Sequence, residues 1–245
     1  MTIQIFSHLD RPDFSDRLNE LEGESVPAFL LHDGFDECRP HLLNEVARYQ
    51  LYFYDAAGDK LLGAGNAVPY YREANQPLPK FQQLLTEAPD QFSRGVTPNI
   101  LCPLQAMVVD DARGTGVSRR IIDAYNDLAL ANEIKEVCVP VRPTLKPLYP
   151  LTPIDRYHNW TQENGEKFDP WFRMQVRTGA KFTEIAYDST VITASLTDWE
   201  AWTEMKFPES GEYVIDGGHV PLVIDRENDT GRYAEPHVWY TYELG

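Results

Sequence analysis

The segment from Leu104 to Asn132 constrains the fold more than any other part of the chain. It begins with an apolar run suited to a buried strand (Leu104, Ala106, Met107, Val108, Val109) and turns at Asp110, Asp111 and Ala112. It continues through Arg113-Gly114-Thr115-Gly116-Val117-Ser118. From Val117 onward Ile121, Ile122, Tyr125, Leu128 and Ala129 recur at helical spacing, which predicts a helix with one buried face. A strand therefore passes into a helix through a loop with two glycines. The first N–H groups of a helix lack intrahelical partners and sit at the positive end of its dipole, so they attract an anion. Gly114 and Gly116 can adopt backbone conformations that a side chain forbids, which lets several N–H groups converge on one phosphate. Arg113, Arg119 and Arg120 crowd the same helix start, where cations oppose the dipole at a cost of a few tenths to about 1 kcal/mol. In a chain with 22 basic and 38 acidic residues, that clustering calls for a bound pyrophosphate. A plain strand-to-helix turn whose arginines reach solvent is the competing reading. Neither G-x-G-x-x-G nor G-x-x-x-x-G-K-[ST] is present.

The rest of the composition narrows the function classes. The 245 residues suffice for one domain with a sizeable core, and the hydrophobic content of 42% predicts an ordered chain. A net charge of −16 argues against nucleic acid and anionic membranes as partners and mildly favours cationic substrates. The sequence has no apolar run long enough to span a bilayer and no signal-peptide pattern at its start. Cys38, Cys102 and Cys138 are odd in number and lack C-x-x-C spacing, which points to reduced thiols and a cytoplasmic location. The six histidines show no metal-ligand spacing, so no metal is expected.

In chain order, Thr2 to Phe6 predicts a strand, Phe14 to Leu21 a short helix, Val26 to Leu31 an apolar segment, and Pro40 to Tyr49 a helix. Leu51–Tyr54 and Leu61–Val68 make a hairpin around Ala57–Lys60. Residues 70–100 carry Pro77, Pro79, Pro89 and Pro98 and read as loop, apart from a helix near Phe81 to Leu85. After a strand at Val137–Val141, the four prolines between Arg142 and Pro153 stiffen a connection. Thr152 is expected as an N-cap with Pro153 at the first helical position. Asp169, Pro170 and Gly179 mark the cap, first residue and C′ position of a second helix. Phe182–Tyr187 and Thr190–Leu196 are two expected strands, and the tail from about 197 to 245 reads as an ordered extension of a single domain spanning 1–245.

Arg113-Gly114-Thr115-Gly116-Val117-Ser118 resembles the acyl-CoA pyrophosphate loop of the GNAT superfamily of N-acetyltransferases, Arg/Gln-x-x-Gly-x-Gly/Ala, with Ser118 departing at the last small position. The flanking order of strand, loop, helix and strand is similar to the core of that fold. Further stretches are similar to an extended bacterial group related to the domains that load some polyketide synthases. These are Leu31-His32-Asp33, Gly65-Asn66, Val141 to Lys146, Tyr149 to Pro153, Phe168 to Trp171 and Phe207 to Tyr213.

The resemblance implies an α/β (α+β) fold whose mixed, mostly antiparallel sheet splays between its fourth and fifth strands, with helices on both faces. It implies acetyl-CoA or coenzyme A as cosubstrate, held by Met107, Val108 and Val109 along the strand and by Arg113 to Ser118 at the loop. The activity expected is acyl transfer to a small amine by direct attack on the thioester, in a monomer or homodimer.

The usual general acid of the family, a Tyr four residues before the helix-ending glycine, is replaced here by Gln175, which can orient a group but cannot exchange a proton near neutral pH. Tyr149 and Tyr157 are candidate substitutes, and His32 and Asp33 are candidate proton handlers; each also fits a structural role. Two other readings stand beside the first. One is a non-catalytic CoA-binding module. The other is a decarboxylase that loads a carrier protein, for which the resemblance implies a Thr, matched by Thr144, and a His, whose position holds Gln175. Without that imidazole, decarboxylation of malonyl-CoA is not expected, and the acidic chain suits an acidic carrier protein poorly.

Overall fold

A computed structural model of the chain describes residues 3–21, 27–112 and 114–245. The elements are β1 (Ile3–Ser7), 3-10 turns at Pro12–Glu20 and Ala28–His32, α1 (Phe35–Asn44), β2 (Gln50–Asp55), β3 (Lys60–Tyr70), α2 (Phe81–Ser93), β4 (Ile100–Val108), α3 (Val117–Ala131) and β5 (Glu136–Val141). They continue with α4 (Ile154–His158), α5 (Pro170–Arg177), β6 (Lys181–Ala194), α6 (Leu196–Thr203), β7 (Gly211–Tyr213), β8 (Leu222–Asp225) and β9 (Thr230–Glu243). The strands form one sheet in the order β1-β2-β3-β4-β5-β9-β8-β7, with β6 on the other side of β9. Every pairing is antiparallel except β4 with β5. That parallel pair forms only at Ile100↔Glu136 and Leu101↔Val137, after which the two strands separate. The expected splay between the fourth and fifth strands is therefore present. Among the described residues, no helix is long and apolar enough to cross a membrane.

Residues alternate across the pleat of β9. Tyr240 and Tyr242 face α5, where the Tyr242 hydroxyl donates to Gln175 Oε1 at 2.7 Å and the Tyr240 ring lies 5.8 Å from Phe172. Glu235, His237 and Trp239 take the opposite face, where His237 stacks on Phe81 of α2 at 5.2 Å. Helices thus cover both faces. On α3, Tyr125 is fully buried against β3, because a Cβ on Gly65 would stand only 2.6 Å from its hydroxyl. The glycine lets α3 lie that close to the sheet.

Several local expectations are corrected. The first α-helix starts at Phe35, not Pro40, because Gly34 (φ 94°) turns the chain and Asp33 Oδ1 accepts from the Phe35 N–H at 2.8 Å. The 70–100 excursion contains thirteen helical residues that run through Pro89. An interior proline costs about 3 kcal/mol. Burial of Phe81, Leu84, Leu85 and Ala88 on the same helix outweighs it, at about 1.5–3 kcal/mol for each large apolar side chain. The two strands expected between Phe182 and Leu196 are one, β6, which bulges between Ala186 and Thr190 with Asp188 at φ 49°. At α4 the cap falls on Pro153 (ψ 144°) rather than Thr152. The stretch read as a C-terminal extension supplies β9, which lies inside the sheet between β5 and β6. Thr2 and Val26 lie outside the described residues.

Candidate functional site

The gap begins where β4 leaves β5. The Val109 N–H donates to Leu62 O at 3.0 Å, so the neighbouring pair Gly63↔Val108 is of the type whose own N–H and C=O groups point away from each other. Val108, and Ala106 two residues earlier, therefore turn their N–H and C=O groups away from β3 and into the gap. Val109 and Met107 spend theirs on β3. Of the three residues Met107, Val108 and Val109, only Val108 offers an N–H to anything inserted between the strands. A register shift opposite Asn66/Ala67 interrupts the ladder at Leu104, and beside it Asn66 Nδ2 donates to Gln105 Oε1 at 2.8 Å. Val139, Pro140 and Val141 form the far wall.

At the wide end of the gap, Asp110–Ala112 makes a 3-10 turn, and both the N–H and the hydroxyl of Thr115 donate to Ala112 O, at 3.2 and 2.6 Å. Gly114 and Gly116 sit at φ 75° and 94°, the left-handed region that only glycine adopts cheaply. Gly116 caps α3 without a side-chain acceptor, and its carbonyl accepts from the Arg120 N–H at 3.1 Å. The first-turn N–H groups of Val117, Ser118 and Arg119 therefore have no intrahelical partner. A Cβ added at Gly114 or Gly116 would meet nothing within 4 Å, so the loop faces open space. Val117 buries its side chain, whereas Ser118 is half-buried and Arg119 and Arg120 are exposed. Arg119 reaches Asp123 at 3.6 Å. Arg113 lies outside the described residues.

The other expected site residues are dispersed. Gln175 is fully buried, accepting from Tyr242, and its Nε2 has no partner. Tyr157 donates to Asp169 Oδ2 at 2.8 Å, and burial together with that carboxylate pushes its hydroxyl far above the usual tyrosine range. Its proton is therefore committed to the core. Asp169 also accepts from the Leu145, Trp171 and Phe172 N–H groups, so one buried carboxylate caps α5 and fastens the loop that carries Thr144. Thr144 itself is exposed. Tyr149 is half-buried against Trp160, Phe168 and Tyr157, with ring centroids 4.9 to 6.0 Å away. His32 is exposed and stacks on Trp202 of α6 at 4.0 Å.

A polar cluster that the sequence reading missed lies just past the end of β5. Arg142 donates to both Glu235 oxygens, at 2.9 and 3.2 Å, and to Gly217 O, and the Tyr233 hydroxyl also donates to Glu235. Burial alone would raise the Glu235 carboxyl, but Arg142, with His219 and His237, brings it down to about 2. Burial lowers His237 to about 4, holds His219 well below its ordinary value, and lowers Lys146 to about 8. The signal in the sequence was the period-2 series Tyr233, Glu235, His237, polar groups at alternating strand positions.

No family model matches the chain. It is 27% identical over 207 residues to arginine N-acetyltransferase avaD of Aspergillus versicolor, a match spanning 76% of this chain and 71% of that protein. The loading GNATL domain of CurA from Lyngbya majuscula superposes with a TM-score of 0.64 at 15% identity, covering 100% of this chain and 98% of that one. The GphF GNAT-like decarboxylase, solved in complex with isobutyryl-CoA, superposes with a TM-score of 0.55 at 18% identity over the full length of both chains. With its splayed β4 and β5 and the glycine loop opening α3, the chain has the fold of these GNAT-like domains. Its likenesses extend both to an amine acetyltransferase and to loading domains.

Proposed function

We infer that this protein is an acyl-CoA-dependent N-acyltransferase, moving an acetyl group from acetyl-CoA to a small amine. The observation that carries this is the open edge of β4, whose Val108 N–H points into a gap that ends at an uncapped, glycine-lined helix start. The loop and α3 N–H groups suit a pyrophosphate, and the free edge of β4 suits an amide-containing arm lying alongside it as an added strand. Coenzyme A offers both in one molecule. Arg113, beside the loop in sequence, is assigned to the phosphates.

In that arrangement the gap-facing N–H groups of β4 are placed to donate to the thioester carbonyl oxygen as negative charge develops there. The amine lone pair forms the C–N bond, the C–S bond breaks, and its electron pair leaves on the thiolate. The amine proton passes to a base.

The likeness to a protein named for arginine N-acetylation supports an amine acceptor with a cationic group, as does the net charge of −16. The decarboxylating alternative has Thr144 in its favour, but its second position is Gln175, buried against Tyr242. The first test is calorimetric titration with coenzyme A. Binding at micromolar to sub-millimolar concentration, weakened about tenfold by Arg113→Ala with no loss of thermal stability, is expected. No binding at millimolar concentration would contradict the reading.

A further inference from the structure

The face of β9 that carries α2 holds several buried polar atoms whose partners are missing. Both ring nitrogens of His219, Nδ1 of His237 and Nε1 of Trp239 make no hydrogen bond. The three side chains are 1%, 4% and 0% exposed. A buried polar group without a partner is disfavoured in a finished core, and such nitrogens on two histidines near enough to interact, with Trp239 on the same strand face as His237, call for a polar occupant. The nearest anion, Glu235, cannot serve them all. It is taken up by Arg142 and Tyr233, and it stands 3.7 Å from His219 Nδ1, beyond hydrogen-bond reach.

Position relative to the gap supports a ligand. Trp239 pairs with Pro140, and β5 is the wall of the gap, so β9 lies one strand spacing, about 4.8 Å, behind that wall. The segment before α1 roofs the same place. Phe29 packs on Tyr233 at 4.9 Å. Gln82 Nε2 donates both to Asp33 O and to Val191 O, and Val191 pairs with Ala234 beside Glu235. Asp33 thereby lies close enough to Glu235 for the two charges to interact. One of its oxygens accepts from the Phe35 N–H, and among the described residues it has no cationic partner. Burial raises its carboxyl to about 6, with Glu235, Asp36 and Glu37 adding to the shift.

We propose that this face of β9 is the acceptor pocket: a cationic group of the acceptor, a guanidinium or ammonium, pairs with Asp33, while its polar backbone and reacting amine lie against His219, His237 and Trp239. The inference rests on the acyl-transfer reading and specifies its substrate side. It accounts for the unpartnered nitrogens and for the unpaired carboxylate by one occupant that brings both donors and acceptors.

The test compares L-arginine with L-citrulline, which replaces the guanidinium by a neutral urea of similar shape. Asp33→Asn keeps the oxygen that caps α1 and removes only the charge. In the presence of coenzyme A, the wild-type protein is expected to bind arginine at least about tenfold more tightly than citrulline. Asp33→Asn should erase that preference while leaving coenzyme A affinity unchanged. His237→Gln, which keeps a polar group of comparable reach, should weaken both amino acids alike. An arginine-to-citrulline ratio unaltered by Asp33→Asn, or wild-type protein that binds coenzyme A but not arginine, would overturn the proposal while leaving the acyl-transfer reading in place. Failure to bind coenzyme A would overturn both.

Discussion

Asp33 and Asp169 are two partly or wholly buried carboxylates that the same fold uses in opposite ways. Asp169 collects hydrogen bonds from one hydroxyl and three backbone N–H groups and knits α5 to the loop after β5. Asp33 has one such donor and neighbours of its own sign. Its folded pKa of about 6 lies above its ordinary value of 3.8, so the folded state holds this proton more tightly than the unfolded chain does. The stability linked to that protonation is present in full below pH 3.8 and is lost as the pH rises through about 6. Asp33→Asn should accordingly match the wild-type protein below pH 4 and exceed it by about 2 kcal/mol at pH 7, as read from urea unfolding at a series of pH values. A variant less stable than wild type at pH 7 would show that the carboxylate is satisfied after all. The histidines run the other way. Burial lowers His237 to about 4, so its neutral form supports the fold above pH 6.5, and that support disappears as the pH falls through 4. Gln175 belongs with Asp169 rather than Asp33. It is fully buried and bonded to Tyr242, and this suits a positioning role on α5 better than one in proton transfer.

The elements divide according to how local their causes are. The β4–loop–α3 unit was legible in the sequence because its strand run, glycines and helical period all lie within thirty consecutive residues, and each reports a local preference. Asp169, Pro170 and Gly179 marked α5 for the same reason, and the Gly179 φ of 101° is the left-handed C′ position they imply. The course of α2 was not legible. Pro89 speaks against a helix locally, and only the tertiary burial of Phe81, Leu84, Leu85 and Ala88 decides in its favour. At this scale the close fit of α3 on β3 is the sensitive point. Gly65→Ala would put a methyl group 2.6 Å from the Tyr125 hydroxyl, which is buried and donates to Tyr49 O. It should destabilise the protein by about 1–3 kcal/mol, the usual cost of overpacking. It should also weaken coenzyme A binding, because the helix start proposed for the pyrophosphate moves with Tyr125. Unchanged chemical-denaturation midpoints would contradict this close packing.

Across the whole molecule, the strand that completes the sheet comes last in the chain. β9 pairs with β5 and β6, reaching back as far as Glu136↔Glu243, and its Trp239-Tyr240-Thr241-Tyr242 run is covered on both faces. A strand buried on both sides shows little alternation, so its central place could not be read from periodicity. The proposed acceptor side was hidden for a related reason. Its residues come from the start of α1, from α2, from the end of β5, from the loop before β8 and from β9, and only the folded sheet assembles them. β5 separates the two proposed sites, with the acyl donor assigned to the gap on one side of this strand and the acceptor to the strand on the other. The most direct test is to incubate the wild-type protein with acetyl-CoA and L-arginine and to quantify acetylated arginine and free coenzyme A by mass spectrometry. The account predicts that both appear in equal amounts, well above the protein-free rate, and that both fall together in Asp33→Asn. Coenzyme A release without an acetylated amine, or neither product in a protein that binds coenzyme A, would contradict it.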